Sequence, residues 1–255
     1  MVVVPRSLGL LISHWRFVQG LTQKDLCAFL GWRDINRLSD IEQNRVKPGK
    51  EVLMDILTML NVPPEVRGQA LLLFGEPPTE EEARAWKTRL QGDEGFESTS
   101  IPIMCIDFIR KIHLINQAAL TLLHLAPAGI EREPNLLELL FNPRSDLHQH
   151  LKKTGEWEQV AKRFVARFKT EQITQLGRRM SEPCLIPLFK RLFPYPEFGR
   201  VWGELDDYTA RELCREVPLI DCDRIGISGQ TYHVSYQKFV LADWRFLMIL
   251  FLQTH

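Results

Sequence analysis

The spacing of apolar residues changes partway along the chain, and this change constrains the fold more than any other feature. In residues 1–75 apolar side chains recur every three or four positions, as along one face of a helix. Residues 101–255 begin and end with short β-like runs and carry helical segments between them. One repeating element cannot produce both patterns. The length of 255 residues accommodates two ordinary domains, and we expect two.

The first 75 residues predict a small all-α domain of five helices. The apolar stripes lie at residues 8–15, 26–30, 35–41, 52–60 and 66–74. Phe29 and Ile35 belong to these stripes, so we expect both to face inward. Thr22 is a good N-cap for the second helix, and Asp25 three residues later forms a near capping box. Gly31 then ends that helix.

Charged residues are distributed unevenly along the chain, although the whole chain contains 32 Lys and Arg residues and 32 Asp and Glu residues. Residues 1–75 contain 9 basic and 7 acidic side chains, and within 16–50 the numbers are 7 and 4. Residues 76–100 contain 3 basic and 7 acidic side chains and predict an acidic linker, within which Glu80–Leu90 could form one helical turn or more. The protein is therefore no general polyanion binder, and any nucleic-acid contact must be local and near the N-terminus.

Residues 101–255 predict an α+β domain with one central antiparallel sheet. The expected strands are 103–108, 111–115, 217–220, 232–241 and 244–252. The expected helices are 118–125, 135–141, 156–172, 185–193 and 197–202. Asn116 and Asn135 are placed to cap the first two of these helices. Strands at both ends of a region, with helices between them, favour one sheet shared by the two ends.

The second and third helices follow the order of a helix-turn-helix, and residues 8–60 resemble the XRE (phage-repressor-like) family. The third helix carries Arg33, Asn36 and Arg37 early, and such side chains read base edges, Arg at guanine and Asn at adenine. Four further residues are expected at the DNA backbone: Thr22, Gln23, Arg45 and Lys47. The alternative is a helical bundle for protein contacts alone, which Asp34 and Asp40 favour because they repel phosphates.

Several segments of residues 101–255, taken together, resemble the ligand-binding domain of MmyB-like transcription regulators. They are Pro102–Asp107, Leu114–Ala119, Asn135–Phe141, Trp157–Glu158, Val165–Phe168 and Pro196–Trp202. The resemblance implies a PAS-like fold, a pocket for a fatty-acid-like molecule and a role in transcription regulation. Val52–Phe74 also fits the helical region that precedes this domain in the family.

The residues themselves allow such a pocket between the sheet and the helices. The expected lining is aromatic: Trp157, Phe164, Phe168, Phe189, Phe193 and Trp202. A carboxylate at the pocket mouth would need a polar partner, for which His113 and Asn116 are the candidates. The alternatives are that the aromatic stripe is ordinary core, that Asn116 is a helix cap and that His113 is structural.

Enzyme and metal chemistry have little support in the sequence. His148 and His150 form an HxH without a third ligand at suitable spacing, so no metal site is expected. We also expect no catalytic residues and no cofactor beyond the possible fatty-acid-like ligand. The five cysteines are scattered, with no CxxC pair, which favours a reducing compartment. The longest apolar run, Phe246–Leu252, is too short to span a membrane, and Met1–Pro5 lacks a signal-peptide layout, so we expect a cytoplasmic location.

The expected function is therefore that of a sequence-specific, DNA-binding transcription regulator with three parts. They are an XRE-type helix-turn-helix domain (1–75), an acidic linker (76–100) and a PAS-like domain that senses a fatty-acid-like molecule (101–255). The expected partners are double-stranded DNA and a second copy of the chain, with no membrane. The alternative is a DNA-binding protein whose C-terminal domain mediates protein contacts or dimerisation without a small molecule.

Overall fold

The computed structural model describes residues 7–91, 94–130, 134–215, 222–238, 243 and 245–253. The chain divides into two compact units. Unit 1 comprises Met1–Glu76 with Val240–Arg245, and unit 2 comprises Pro77–Phe239 with Phe246–His255.

Unit 1 is helical throughout its described elements, as the sequence predicts. Its helices are α1 (Leu8–Val18), α2 (Gln23–Phe29), α3 (Ile35–Glu42), α4 (Lys50–Met59) and α5 (Pro64–Phe74). Their inward faces form one apolar core. Its fully buried members are Leu11, Ile12, Leu26, Leu38, Leu53, Ile56, Leu57 and Leu60. These are the residues of the apolar stripes, so helical periodicity located this core.

Two stripe residues of unit 1 face solvent instead of the core, which corrects the sequence expectation. Phe29 is 58% exposed and Ile35 is 41% exposed. On α2 the buried face centres on Leu26 and Cys27, and Phe29 lies to one side of it. Ile35 is the first residue of α3, one turn before the buried Leu38. Short helices bury only a narrow face, so an apolar residue at its edge remains outside.

Helices α1 and α3 approach each other closely at Gly9. A Cβ at this position would lie 2.2 Å from the carbonyl oxygen of Glu42. The Gly9 N–H donates to Oδ1 of Asn44 at 2.9 Å, and Asn44 adopts a left-handed conformation with φ of 57°. The absence of a side chain at Gly9 is therefore what lets the two helices make backbone contact.

Unit 2 combines helices with an antiparallel sheet, which confirms the expected α+β composition. The helices before and after the first strand pair are α6 (Glu80–Gln91), α7 (Glu94–Ser98), α8 (Gln117–Leu122), α9 (Pro127–Ile130), α10 (Leu136–Phe141), α11 (Asp146–Thr154), α12 (Trp157–Lys169), α13 (Ile186–Leu192), α14 (Pro196–Glu204) and α15 (Asp207–Arg215). The strands are β1 (Ile103–Asp107), β2 (Ile112–Ile115), β3 (Cys222–Ile227), β4 (Gln230–Lys238) and β5 (Phe246–Gln253).

The five strands form one sheet in the order β2-β1-β5-β4-β3, and each neighbouring pair is antiparallel. The sheet therefore joins the start and the end of the unit, as the sequence predicts. One face belongs to the large core that contains Ile106, Ile112, Ile249 and the apolar side of α12. The strand expected at 217–220 lies outside the described residues. The strand β3 begins after it, at Cys222.

The segment expected as a linker is folded and belongs to unit 2. Helix α6 begins at a capping box, in which Thr79 Oγ1 accepts from the Glu82 N–H at 3.2 Å and Glu82 Oε2 accepts from the Thr79 N–H at 2.7 Å. Trp86 of α6 is 5% exposed and stacks on Phe246 of β5, with ring centroids 4.3 Å apart. Phe96 of α7 is also buried. These apolar contacts explain why an acidic segment is ordered here.

Helix α12 passes directly into a π-helical turn at Thr170–Gln175. The sequence predicts one helix over 156–172, and the structure divides that stretch between an α-helix and the wider turn. π-Helical turns are rare and occur often at functional sites. Helices α11 and α15 were not expected from the sequence. Among the described residues, no helix is both long and apolar enough to cross a membrane.

Candidate functional site

Helix α2 begins at a capping box. Thr22 Oγ1 accepts from the Asp25 N–H at 3.1 Å, and Asp25 Oδ2 accepts from the Thr22 N–H at 2.8 Å. The Thr22 hydroxyl also donates to Asp25 Oδ2 at 2.6 Å. These bonds lower the pKa of the Asp25 carboxyl, chiefly through the hydroxyl donor. Thr22 is exposed, but its hydroxyl already bonds Asp25 within the cap. This arrangement favours a helix-capping role for Thr22 over a direct DNA contact.

One carboxylate joins α1, α2 and α3. Glu42, 8% exposed, accepts from Arg16 Nε at 2.7 Å and from Arg16 Nη2 at 2.9 Å. It also accepts from Gln23 Nε2 at 2.8 Å. Arg16 Nη1 donates to the Leu21 carbonyl oxygen at 2.8 Å, at the turn before α2. These bonds raise the pKa of Arg16, mainly through Glu42, and fix the relative position of the three helices.

The start of α3 presents polar side chains to solvent. Asn36 and Arg37 lie in the first turn of α3, whereas Arg33 precedes the N-cap and is not on the helix, which corrects its expected place. All three are exposed, as a base-reading role requires. The guanidinium carbon of Arg37 lies 4.1 Å from the centre of the Trp32 ring, which restricts the side chain. The N-cap of α3 is Asp34, whose Oδ1 accepts from the Asn36 N–H at 2.9 Å. A negative charge therefore stands at the same helix end as the three candidate side chains.

The other two basic candidates follow α3 and are also exposed. Arg45 Nη1 lies 3.4 Å from Asp40 Oδ1, a surface pair of small energetic value. The Lys47 ammonium lies 4.7 Å from the centre of the Phe74 ring. Arg45 is thus partly neutralised by Asp40, and the Lys47 ammonium packs on an aromatic face.

A surface depression of about 650 Å³ lies where these elements of unit 1 meet. Thr22 and Gln23 line it together with Arg16, Phe17, Gly20, Leu21, Lys24 and Ile35. The structure therefore brings two of the predicted backbone contacts next to the first residue of α3. The other six lining residues were not predicted as site residues, and Lys24 and Ile35 are the two of them on α2 and α3. Ile35 was placed in the core by its periodicity, which gave no sign of its exposure.

The aromatic residues predicted to line a pocket lie mainly in the core of unit 2. Trp157, Phe164, Phe168, Phe189 and Trp202 are each at most 9% exposed. They pack on one another: the Phe189 and Trp202 ring centroids are 5.0 Å apart, and those of Phe168 and Phe189 are 6.2 Å apart. Phe193 differs, because it is 47% exposed. Ring-to-ring packing of this kind is what ordinary core residues make.

Asn116 is occupied by structural hydrogen bonds. Its Oδ1 accepts from the N–H groups of Ile103 and Ala119, each at 2.9 Å. Its Nδ2 donates to the carbonyl oxygens of Phe96 and Ile101, at 3.2 and 2.8 Å. The amide thereby uses its donors and acceptor to hold β1, α7 and α8 together. This arrangement favours the helix-cap interpretation over the ligand-contact hypothesis.

His113 lies on the opposite face of the sheet from the aromatic cluster. Its neighbour Ile112 belongs to the core that contains α12, whereas His113 contacts Phe246, which pairs with Asp107 and lies outside that core. His113 Nε2 is 3.0 Å from Asp107 Oδ2, and its ring contacts Phe246 edge-on at 5.4 Å. The structure therefore does not bring His113 and Phe168 into one pocket, which corrects the pairing that the sequence suggested.

A second surface depression, of about 380 Å³, lies in unit 2. It is lined by Gln117, Leu120, Thr121, His124, Leu125, Ala126 and Asp146. None of the residues predicted to bind a ligand is in this set. The depression therefore gives no support to the expected lining.

Buried arginines are the feature of unit 2 that sequence reasoning missed. Arg110, Arg163, Arg167 and Arg178 are each at most 7% exposed. Arg110 Nη2 donates to Glu171 Oε2 at 2.7 Å, and Arg167 Nε donates to Glu171 Oε1 at 2.6 Å. Burial lowers the pKa of Arg178. Arg163 and Arg167 lie on the amphipathic α12, but nothing in its periodicity distinguishes a buried Arg from an exposed one.

Comparison with models of protein families finds no match, and neither does comparison with curated protein sequences. Among the described residues, no group of three or more His, Cys, Asp or Glu side chains could hold a metal ion. The candidate sites therefore stand on their geometry alone.

Proposed function

We propose that the protein is a sequence-specific DNA-binding transcription regulator and that α2 and α3 form its helix-turn-helix. The observation that carries this proposal is the Glu42 network, which fixes α2 against α3 through Gln23 and against α1 through Arg16. A helix that reads bases must be held rigidly on its scaffold, while its outer face stays free to enter the major groove. The exposed early turns of α3 provide such a face.

The exposed side chains of this face have the chemistry for direct readout. Arg33 and Arg37 would pair with guanine, and Asn36 would pair with adenine. Ile35, which is 41% exposed, supports the proposal because an apolar side chain here would contact a thymine methyl group. Gln23 would contact the DNA backbone beside the α2 start, as would Arg45 and Lys47 on the other side of α3.

Fluorescence anisotropy titration tests these roles, with the full chain and a DNA duplex that it has selected from a random library. Arg37→Ala should weaken binding by about 1–3 kcal/mol and relax specificity at one base pair. Arg144→Ala, at an exposed position of unit 2, removes the same charge and should leave binding unchanged. Equal affinities for the wild type and Arg37→Ala would contradict the assignment of α3.

We propose further that the regulator acts as a homodimer. The surface of one short helix and its flanks contacts too few base pairs for tight specific binding, so two units on adjacent half-sites are expected. The modest surplus of basic residues in the first 75 positions, 9 against 7, supports this reasoning because it provides little nonspecific attraction.

For unit 2 we propose a PAS-like sensor of a fatty-acid-like molecule, in line with the resemblance to MmyB-like regulators. Two features support this proposal. The helices between β2 and β3 cover one face of a five-stranded antiparallel sheet, and their contact region is rich in aromatic side chains. Such a region suits an acyl chain, since each CH₂ transferred from water contributes about 0.8 kcal/mol.

The second candidate for unit 2 is a protein-contact or dimerisation module without a ligand. The mutual packing of Phe168, Phe189 and Trp202 favours it, because these rings already fill one another's contact surfaces. Native mass spectrometry of the purified full chain separates the two. A co-purifying lipid supports the sensor. A dimer without ligand, to which added fatty acids neither bind nor give stability, supports the protein-contact module.

A further inference from the structure

One nitrogen of a deeply buried guanidinium lacks a hydrogen-bond partner. Arg110 is 1% exposed, and its Nη2 donates to Glu171 at 2.7 Å. Its Nη1 is buried and has no partner among the described residues. Buried polar groups are nearly always paired, and a missing partner for a charged donor is costly. An acceptor is therefore expected at this position when the protein is in its functional state.

The charges around Arg110 define the kind of acceptor. Arg110 Nη2 and Arg167 Nε each bond one oxygen of the Glu171 carboxylate, so the neighbour that Arg110 already bonds is a carboxylate. The nearby buried carboxylate of Asp107 is occupied by His113 and by the N–H groups of Ile109 and Lys111. A second carboxylate could accept from Nη1 as that of Glu171 accepts from Nη2, because guanidinium and carboxylate form charge-assisted hydrogen bonds.

The surroundings of Arg110 connect it to the aromatic core. Its guanidinium carbon lies 5.4 Å from the centre of the Phe168 ring, and Phe168 contacts Phe189 and Trp202. Glu171, its partner, belongs to the π-helical turn Thr170–Gln175. A π-helical turn beside an unpartnered buried charge is a second, independent sign of a site, since such turns are often found where ligands bind.

We propose that Arg110 binds the carboxylate of an organic acid in unit 2, with Glu171 as the internal anion that competes for the same guanidinium. The carboxylate would accept from Nη1 of Arg110, and an attached acyl chain would lie against Phe168. The acyl chain rests on the proposed sensor function, whereas the anion site stands on Arg110 and its neighbours. The site replaces His113 and Asn116 as the expected contact of the ligand head group.

Calorimetric titration of the full chain with three probes tests the site: dodecanoate, dodecan-1-ol and acetate. The wild type should bind dodecanoate at least about tenfold more tightly than the alcohol of equal chain length. Arg110→Gln should reduce this preference to near unity and leave the affinity for the alcohol unchanged. Arg200→Gln, which removes an exposed Arg on α14, should change neither affinity.

Glu171→Gln provides a test in the opposite direction and does not depend on the stability of Arg110→Gln. Removing the internal competitor should tighten dodecanoate binding by about threefold or more, because the cluster then carries a larger positive charge. A side chain with a purely structural role would weaken or leave unchanged the binding of the acid. Unchanged or weaker dodecanoate binding by folded Glu171→Gln would therefore overturn the site.

The remaining outcomes separate the site from the sensor. If Arg110→Gln binds dodecanoate as the wild type does, the sensor stands and the Arg110 site is wrong. If acetate binds as tightly as dodecanoate and only in the presence of Arg110, the anion site stands and the acyl sensor is wrong. If neither acid binds the wild type, both are wrong.

Discussion

The carboxylate of Glu42 accepts two hydrogen bonds from the guanidinium of Arg16, at 2.7 and 2.9 Å, across the contact between α3 and α1. The Glu42 side chain is 6% exposed and that of Arg16 is 17% exposed, so water screens the pair only weakly. Because Gln23 donates to the same carboxylate, the pair also determines where α2 lies relative to α3. The proposed DNA-reading surface therefore depends on one ion pair beneath it.

Replacing Glu42 by Ala should destabilise unit 1 strongly. The substitution leaves the Arg16 charge largely buried without its partner, which costs about 3 kcal/mol. Asp40→Ala on the same helix breaks only the exposed pair with Arg45 and should cost at most about 1 kcal/mol. Urea unfolding followed by circular dichroism measures both changes, and equal losses would show that the Glu42 pair has no special role.

Gly9→Ala should disrupt the contact between α1 and α3. The new Cβ would lie 2.2 Å from a backbone oxygen of Glu42, and backbone cannot move aside as a side-chain tip can. Gly199→Ala, inside α14, meets nothing within 4 Å and should stabilise the chain by about 0.5–1 kcal/mol. Thermal unfolding of the two variants should therefore shift in opposite directions. A neutral Gly9→Ala would contradict the close helix approach.

The sequence predicted the unit 1 helices and most of the unit 2 elements because apolar periodicity and capping residues are local signals. Thr22, Asn116 and Asn135 each cap the helix assigned to them. Within the expected linker, Glu80–Leu90 allowed a helical turn or more, and the capping box of Thr79 and Glu82 is the signal that could have fixed the start of α6. The stacking of Trp86 on Phe246 joins residues far apart in sequence, and no local pattern reveals it.

The candidate sites were less predictable than the fold. Periodicity places Phe168 and Trp202 on apolar faces but cannot distinguish a pocket from a filled core. The sheet face occupied by His113 follows from the register shift between β1 and β2, which an alternating apolar pattern does not reveal. The burial of Arg110 follows from its position in the turn after β1, opposite Glu171, which no spacing in the sequence indicates.

Acidification should destabilise unit 2 through His150. Burial and the His124 ring, stacked at 3.6 Å, lower the pKa of His150, while Glu156 opposes this effect and Lys153 adds to it. The folded state thus prefers neutral His150, and its contribution to stability is present above pH 6.5, the ordinary value, and is lost as the pH falls through the lowered pKa.

Proton NMR titration of the His150 ring, assigned by its loss in His150→Asn, measures this pKa directly. The midpoint should lie below 6.5, and the difference in unfolding free energy between wild type and variant should change over the same range. A midpoint above 6.5 would mean that Glu156 dominates the environment of His150.

Lys47 should contribute to DNA binding without regard to sequence. A phosphate contact releases one counterion, so Lys47→Ala should weaken specific and nonspecific duplexes alike and reduce the salt slope by about one. Lys190→Ala, at an exposed position of α13, serves as the control and should leave the slope unchanged. A loss confined to one sequence would instead place Lys47 at a base edge.

Sequencing of the duplexes that the full chain retains from a random library tests the proposed function most directly. The account predicts enrichment of one pseudo-palindrome whose half-sites are centred about 10 base pairs apart, as two copies of α3 in successive major grooves require. The same selection with Asn36→Ala should lose the preference for adenine at one position of each half-site. Retention of duplexes without any enriched sequence, or the same enriched sequence with Asn36→Ala, would contradict the account.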